Sequence, residues 1–95
     1  MLEGLLPIGT VVLLKESTKR VMIMGVCQRS TDNDRAIWDY CGCFYPEGYL
    51  GADKIFLFNN DQIDRIYALG YQDAEQQEFK KKADHIIAEL KNSEE

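Results

Sequence analysis

The amino-acid sequence predicts an α+β fold. It consists of a small, curled, mostly antiparallel sheet of about five strands, SH3-like in outline, with a C-terminal amphipathic helix. Three observations predict it. Short runs of β-branched and aromatic residues recur through residues 5–71, separated by Gly, Pro, Asn and Asp. The first two runs are joined by a polar connection of hairpin length, which favours antiparallel pairing. From residue 73 onward the apolar spacing becomes helical. The 95 residues form one domain, with the sheet over about 5–71 and the helix over 73–91.

Pro7-Ile8-Gly9-Thr10 punctuates the start, and Val11-Val12-Leu13-Leu14 follows as the first strand. Residues 20–28 (RVMIMGVCQ) form the second. Alternation puts Val21, Ile23 and Cys27 on one face and Met22, Met24 and Val26 on the other, so both faces are apolar and both need cover. Gly25 inside this strand predicts a bend or bulge. Residues 29–35 (RSTDNDR) are a polar loop, expected to be the most mobile part of the chain.

The chain is organised around residues 38–51, WDYCGCFYPEGYLG, which hold the only Trp and two of the three Cys. The third strand covers about 36–45, with Ile37, Asp39, Cys41, Cys43 and Tyr45 on one face and Trp38, Tyr40, Gly42 and Phe44 on the other. Tyr45-Pro46-Glu47-Gly48 then breaks it. Pro46 fits the second position of a type I turn and Gly48 the positive φ of a bulge, with a short return through Tyr49-Leu50. Residues 54–58 (KIFLF) read as the fourth strand.

Residues 59–69 admit two readings: a two-turn helix capped by Asn60, or a single 3₁₀ turn followed by a fifth strand over 65–69. The turn and strand are preferred, because a small barrel needs a closing strand. Asp73 is a good N-cap with Gln76 at capping-box spacing. Phe79, Ala83, Ile86, Ile87 and Leu90 fall on one helical face, and residues 92–95 are expected to fray. Its stripe either docks on the sheet or packs on a partner helix; docking is preferred, and it makes Phe79 a core residue.

A formal charge of −5 and a pI near 4.8 speak against nucleic acid and anionic membranes, which need a basic surface. A basic partner fits better. Residues 1–7 have neither a cationic start nor an apolar run long enough for a signal or a span, so a cytoplasmic protein is expected. Three cysteines do not suggest a disulfide framework. Cys41 and Cys43 are neighbours at i and i+2 on a strand, roughly 6.5 Å apart and too far for an easy disulfide. With only Cys27 and His85 left as further ligands they make no zinc site. They read as small buried thiols, and His85 as exposed. No phosphate loop, nucleophile elbow or HExxH occurs, so no catalysis, metal or cofactor is expected. Trp38, Phe44 and Phe56 read as core. Tyr40, Tyr45 and Tyr49 also suit an interface, since Tyr has an apolar body and a polar tip.

The order and spacing of several short motifs carry a resemblance. They are Leu6-Pro7-Ile8-Gly9-Thr10-Val11-Val12, Arg20-Val21-Met22-Ile23-Met24-Gly25, Asp39-Tyr40-x-Gly42, Tyr45-Pro46-Glu47-Gly48, Phe58-Asn59-x-Asp61-x-Ile63 and Gly70-Tyr71-x-Asp73. Over about residues 5–90 the chain resembles a domain-of-unknown-function family of small Gram-positive bacterial proteins, whose members are encoded beside LXG-type toxins of type VII secretion systems. Where this chain has Trp38 and the Cys pair, the family more often has Tyr and aliphatic residues. The resemblance implies a non-catalytic accessory factor that binds such a toxin, or a sibling helical protein, as a chaperone or targeting partner before export. Alternatives are an immunity protein against the same toxin and a small SH3-like nucleic-acid-binding module. Partner contact is expected at Tyr40, Tyr45, Glu47, Tyr49, Phe79 and Ile86, from a monomer or weak homodimer.

Overall fold

β-Branched Val11 and Val12 open β1 (Val11–Leu14), and a polar turn reverses the chain into β2 (Val21–Arg29). β3 (Ile37–Phe44), β4 (Phe56–Phe58) and β5 (Ile63–Ala68) complete one sheet in the order β4-β3-β2-β1-β5, with every pairing antiparallel. α1 (Ala74–Ser93) follows. This computed structural model describes residues 4–29 and 36–93. Apart from Arg29, which ends β2, the polar loop expected over 29–35 lies outside them.

The α+β class and the five strands are as the sequence predicts, but the barrel outline is not. β4 and β5 stand at opposite ends of the strand order and the sheet stays open. The physical reason is what fills the concave side. Leu5 and Leu6 from the leading segment and Ala83 and Ile87 from α1 join Val12, Val21, Ile23, Ile37, Tyr40 and Phe58 in one buried cluster. These side chains occupy the space that a closing strand would have enclosed.

β2 carries the bulge expected at Gly25. The register passes from Ile23↔Gly42 to Gly25↔Cys41, leaving Met24 as the extra residue. Cys27 adds a positive φ of 55°. As a consequence Val26 and Cys27, assigned to opposite faces by alternation, both pack against the core, while Met24 is exposed.

The turn after β3 also departs from expectation. The Tyr45–Pro46 peptide is cis, so Pro46 does not sit at the second position of a type I turn. Gly48 does have positive φ, 82°, and its N–H donates to the Phe44 carbonyl at 2.8 Å. Pairing ends there, and Tyr49 and Leu50 form no return strand. A 3₁₀ turn at Ala52–Lys54 delays β4 until Phe56, two residues later than predicted.

The turn-and-strand reading of 59–69 holds, with a 3₁₀ turn at Asn60–Gln62 and β5 starting at Ile63. The cap is Asn59 rather than Asn60: Asn59 and Gln62 form a reciprocal capping box. Gly70 ends this segment against the backbone of Ile8. A Cβ there would run into the Ile8 carbonyl oxygen, so only glycine fits. At the head of α1 the Asp73 carboxylate accepts from the Gln76 N–H at 2.8 Å, as its N-cap role predicts. The helix runs on through Ser93, past the point where fraying was expected. Among the described residues no helix is long and apolar enough to cross a membrane.

Candidate functional site

A polar clasp joins the leading segment, β3, the turn before β5 and α1. The Asp39 carboxylate is buried and accepts from the Asn60 N–H and from Lys91 Nζ, both at 2.8 Å. Asn59 Oδ1 accepts from the Asp39 N–H at 2.8 Å and from Lys91 Nζ at 3.3 Å. Asn60 then reaches the leading segment, its amide donating to the Gly4 carbonyl at 3.0 Å. On α1, Asp84 accepts from the Leu5 N–H at 2.8 Å and from Lys80 Nζ at 2.8 Å. These bonds tie the leading segment, β3, the 3₁₀ turn before β5 and the middle and C-terminal end of the helix together.

Tyr40 belongs to this network. Its side chain is fully buried, its hydroxyl accepts from the Leu6 N–H at 2.9 Å, and it donates to Asn60 Oδ1. Burial raises its pKa to about 12, the largest influence on it, so it is neutral at every physiological pH. The expectation that Tyr40 meets a partner is therefore corrected: it is core. So is the choice of core aromatics, because Tyr40 and Phe58 are the fully buried ones, whereas Trp38, Phe44 and Phe56 are half-buried. Two family-like motifs, at Asp39-Tyr40 and Phe58-Asn59, thus serve to hold the fold.

The other predicted contact residues separate into two places. At the turn, Glu47 pairs with Lys19 at 2.8 Å, and the hydrogen bond from Lys19 holds its carboxyl below the usual range. Tyr45 is half-buried beneath the Arg20 guanidinium, and Tyr49 is 62 % exposed. On the helix, Phe79 and Ile86 are 54 % and 48 % exposed, so docking of α1 does not use them. The docked row is Ala83, Ile87 and Leu90, flanked by Lys80, Asp84 and Lys91.

Around Phe79 the exposed apolar side chains gather. Phe79 and Ile8 line a small notch of ≈ 30 Å³ with Leu6, Val26 and Ala83 beneath. Leu69 and Tyr71 flank Gly70, whose backbone lies against Ile8, and Tyr71 is 80 % exposed. Sequence reading missed Ile8, Leu69 and Tyr71; the signal was a set of large apolar residues just outside the strands, beside glycines.

The three thiols are free, and no cluster of metal-ligating side chains occurs among the described residues. Burial, and then the neighbouring Cys43, push the Cys41 thiol up, away from the thiolate that nucleophilic chemistry needs. His85 is exposed, with Nε2 2.9 Å from Glu89 Oε1.

Residues 5–79 match the model of a family described as a domain of unknown function, DUF4176. No curated protein and no solved structure matches the chain.

Proposed function

The chain belongs to the DUF4176 family, and on that premise we propose that it is a non-catalytic protein-binding accessory factor. Its partner is an LXG-type toxin of a type VII secretion system, which it serves in the cytoplasm as a chaperone or targeting factor. One observation carries the reading: α1 docks with only one of its two apolar rows. Phe79 and Ile86, seven residues apart on the side turned away from Asp84 and Lys91, both stand exposed, and Phe79 shares a notch with exposed Ile8. Such a seam is half of a helix pair, and an apolar row of this kind on a soluble domain marks a contact surface. The partner segment is therefore helical, as the N-terminal region of such a toxin is.

Co-purification tests it. Tagged protein expressed with the products of its adjacent genes retains the toxin, through the toxin's N-terminal region, and Phe79→Asp with Ile86→Asp abolishes the capture while the fold survives. Capture through the toxin's C-terminal catalytic region instead would mark an immunity protein, and undiminished capture by the double variant would overturn the assigned face.

A further inference from the structure

Away from this apolar face, the sheet carries an aromatic–arginine array that the proposed function does not use. The Arg20 guanidinium lies 5.1 Å from the centroid of Tyr45 and 5.3 Å from that of Tyr67. Arg65 lies 5.9 Å from Tyr67. Register explains how these residues meet. Val21 pairs with Val12 on the core side, so Arg20, one residue earlier, points to the opposite face. Arg65 pairs with Leu13, which likewise alternates away from Val12. The Tyr45 N–H donates to the Arg20 carbonyl at 3.0 Å, which brings β3 to the same row. The Arg20 side chain thus crosses β1 to reach β5.

Two features make the array more than a covering of the sheet. Neither arginine pairs with a carboxylate among the described residues, although acids outnumber bases by 16 to 11 in this chain. A guanidinium stacked on rings keeps its in-plane N–H groups free, and stacking fixes their direction for bidentate bonds to a carboxylate. Tyr67 and Arg65 also belong to β5, which ends the strand order. Its outer edge presents main-chain N–H and C=O groups to whatever lies alongside.

We infer that the free edge of β5, together with Arg20 and Arg65, is a binding surface for an extended peptide segment carrying carboxylates at alternate positions. The segment adds as a sixth strand. Its main chain pairs with β5, and side chains at i and i+2 share one face, so its carboxylates lie on the face that carries Arg65 and, across β5, the Arg20 side chain over Tyr67. Charge complementarity selects this occupant. A nucleic acid would bring a longer run of phosphates than these two guanidinium groups can meet. A second copy docked edge to edge would add further arginines to an edge that already has them. The surface is independent of the Phe79–Ile86 row of α1, and the two fail separately.

The test uses the full chain and three labelled probes: an extended peptide alternating Val with Glu, the same peptide with Gln for Glu, and a short oligouridylate. Fluorescence anisotropy is expected to show the Glu peptide binding at least about tenfold tighter than the Gln peptide, and weakening with salt. Backbone amide shifts in Arg65–Ala68 move on titration. Arg20→Gln and Arg65→Gln each weaken the Glu peptide several-fold with an unchanged melting temperature, and Phe79→Asp leaves its affinity alone. Equal affinity for the Glu and Gln peptides would overturn the inference. So would unmoved β5 amides, tighter binding of the oligouridylate, or concentration-dependent dimerisation that the peptide fails to reverse.

Discussion

Tyr40 joins two jobs that are usually done by different residues. Its ring stacks against Phe58 with centroids 5.4 Å apart, while its hydroxyl serves both the Leu6 N–H and Asn60 Oδ1. Tyr40→Phe keeps the ring and leaves a buried N–H without its acceptor. That change is expected to destabilise the fold by about 1–3 kcal/mol at neutral pH, measured by denaturant unfolding. The pH dependence has a definite sign. A tyrosine whose folded pKa is raised from 10.0 to about 12 binds its proton more tightly when folded. Its contribution is whole below pH 10 and is lost as the pH rises toward about 12. Unfolding curves of the parent chain therefore fall over that interval, and Tyr40→Phe flattens the fall. Identical slopes in the two proteins would remove Tyr40 as its cause. Sequence alone placed Tyr40 on the right strand yet gave it a partner outside the fold. A tyrosine's pattern is the same whether its hydroxyl meets water or a buried amide.

At the scale of the element, the rotation of α1 about its own axis decides which side chains are available. Period 3.6 identified the helix and put Ala83, Ile87 and Leu90 against the sheet. It could not choose between the two flanks of that row. At about 100° per residue, Phe79 and Ile86 lie on one flank and Lys80, Asp84 and Lys91 on the other. Polar bonds make the choice, since Asp84 satisfies the Leu5 N–H and Lys91 reaches buried Asp39. A hydrophobic pattern has no term for such bonds, so by pattern alone Phe79 reads as core. Ile87→Ala is accordingly expected to cost about 2–5 kcal/mol. Phe79→Ala is expected to cost about 1 kcal/mol or less, because its ring is half-exposed. Thermal melts of the two variants side by side check this, and a Phe79→Ala loss equal to that of Ile87→Ala would mean the helix is rotated. β2 shows the same limit in a strand: Gly25 signalled a bulge, but only the register with β3 tells which residue is extra and how the faces continue beyond it.

For the whole molecule, what distinguishes this open sheet from a barrel is the source of its plug. Strand number, order of elements and hairpin pairing were legible, because alternation and turn residues are local. Closure was not, since it depends on whether Leu5, Leu6 and the helix fill the concave side before a strand can. The family match makes this testable, for it ends at residue 79, one turn and a half into α1, while Ala83 and Ile87 lie beyond it. Both are buried in the same cluster as Leu5, Leu6, Ile37 and Tyr40. The clasp residues Asp84 and Lys91 also lie beyond the match, and without them the Leu5 N–H and the Asp39 carboxylate lose partners inside the fold. A chain cut after Phe79 therefore opens one side of the core to water, takes the acceptor from the Leu5 N–H and leaves the Asp39 carboxylate with the Asn60 N–H but without its cation. With a domain's stability at only about 5–15 kcal/mol, that loss is expected to leave it unfolded or aggregated. A ¹⁵N correlation spectrum of the 1–79 chain decides the matter. Collapsed amide dispersion is the expected result, and a dispersed, native-like spectrum would show that the sheet holds its core without the helix.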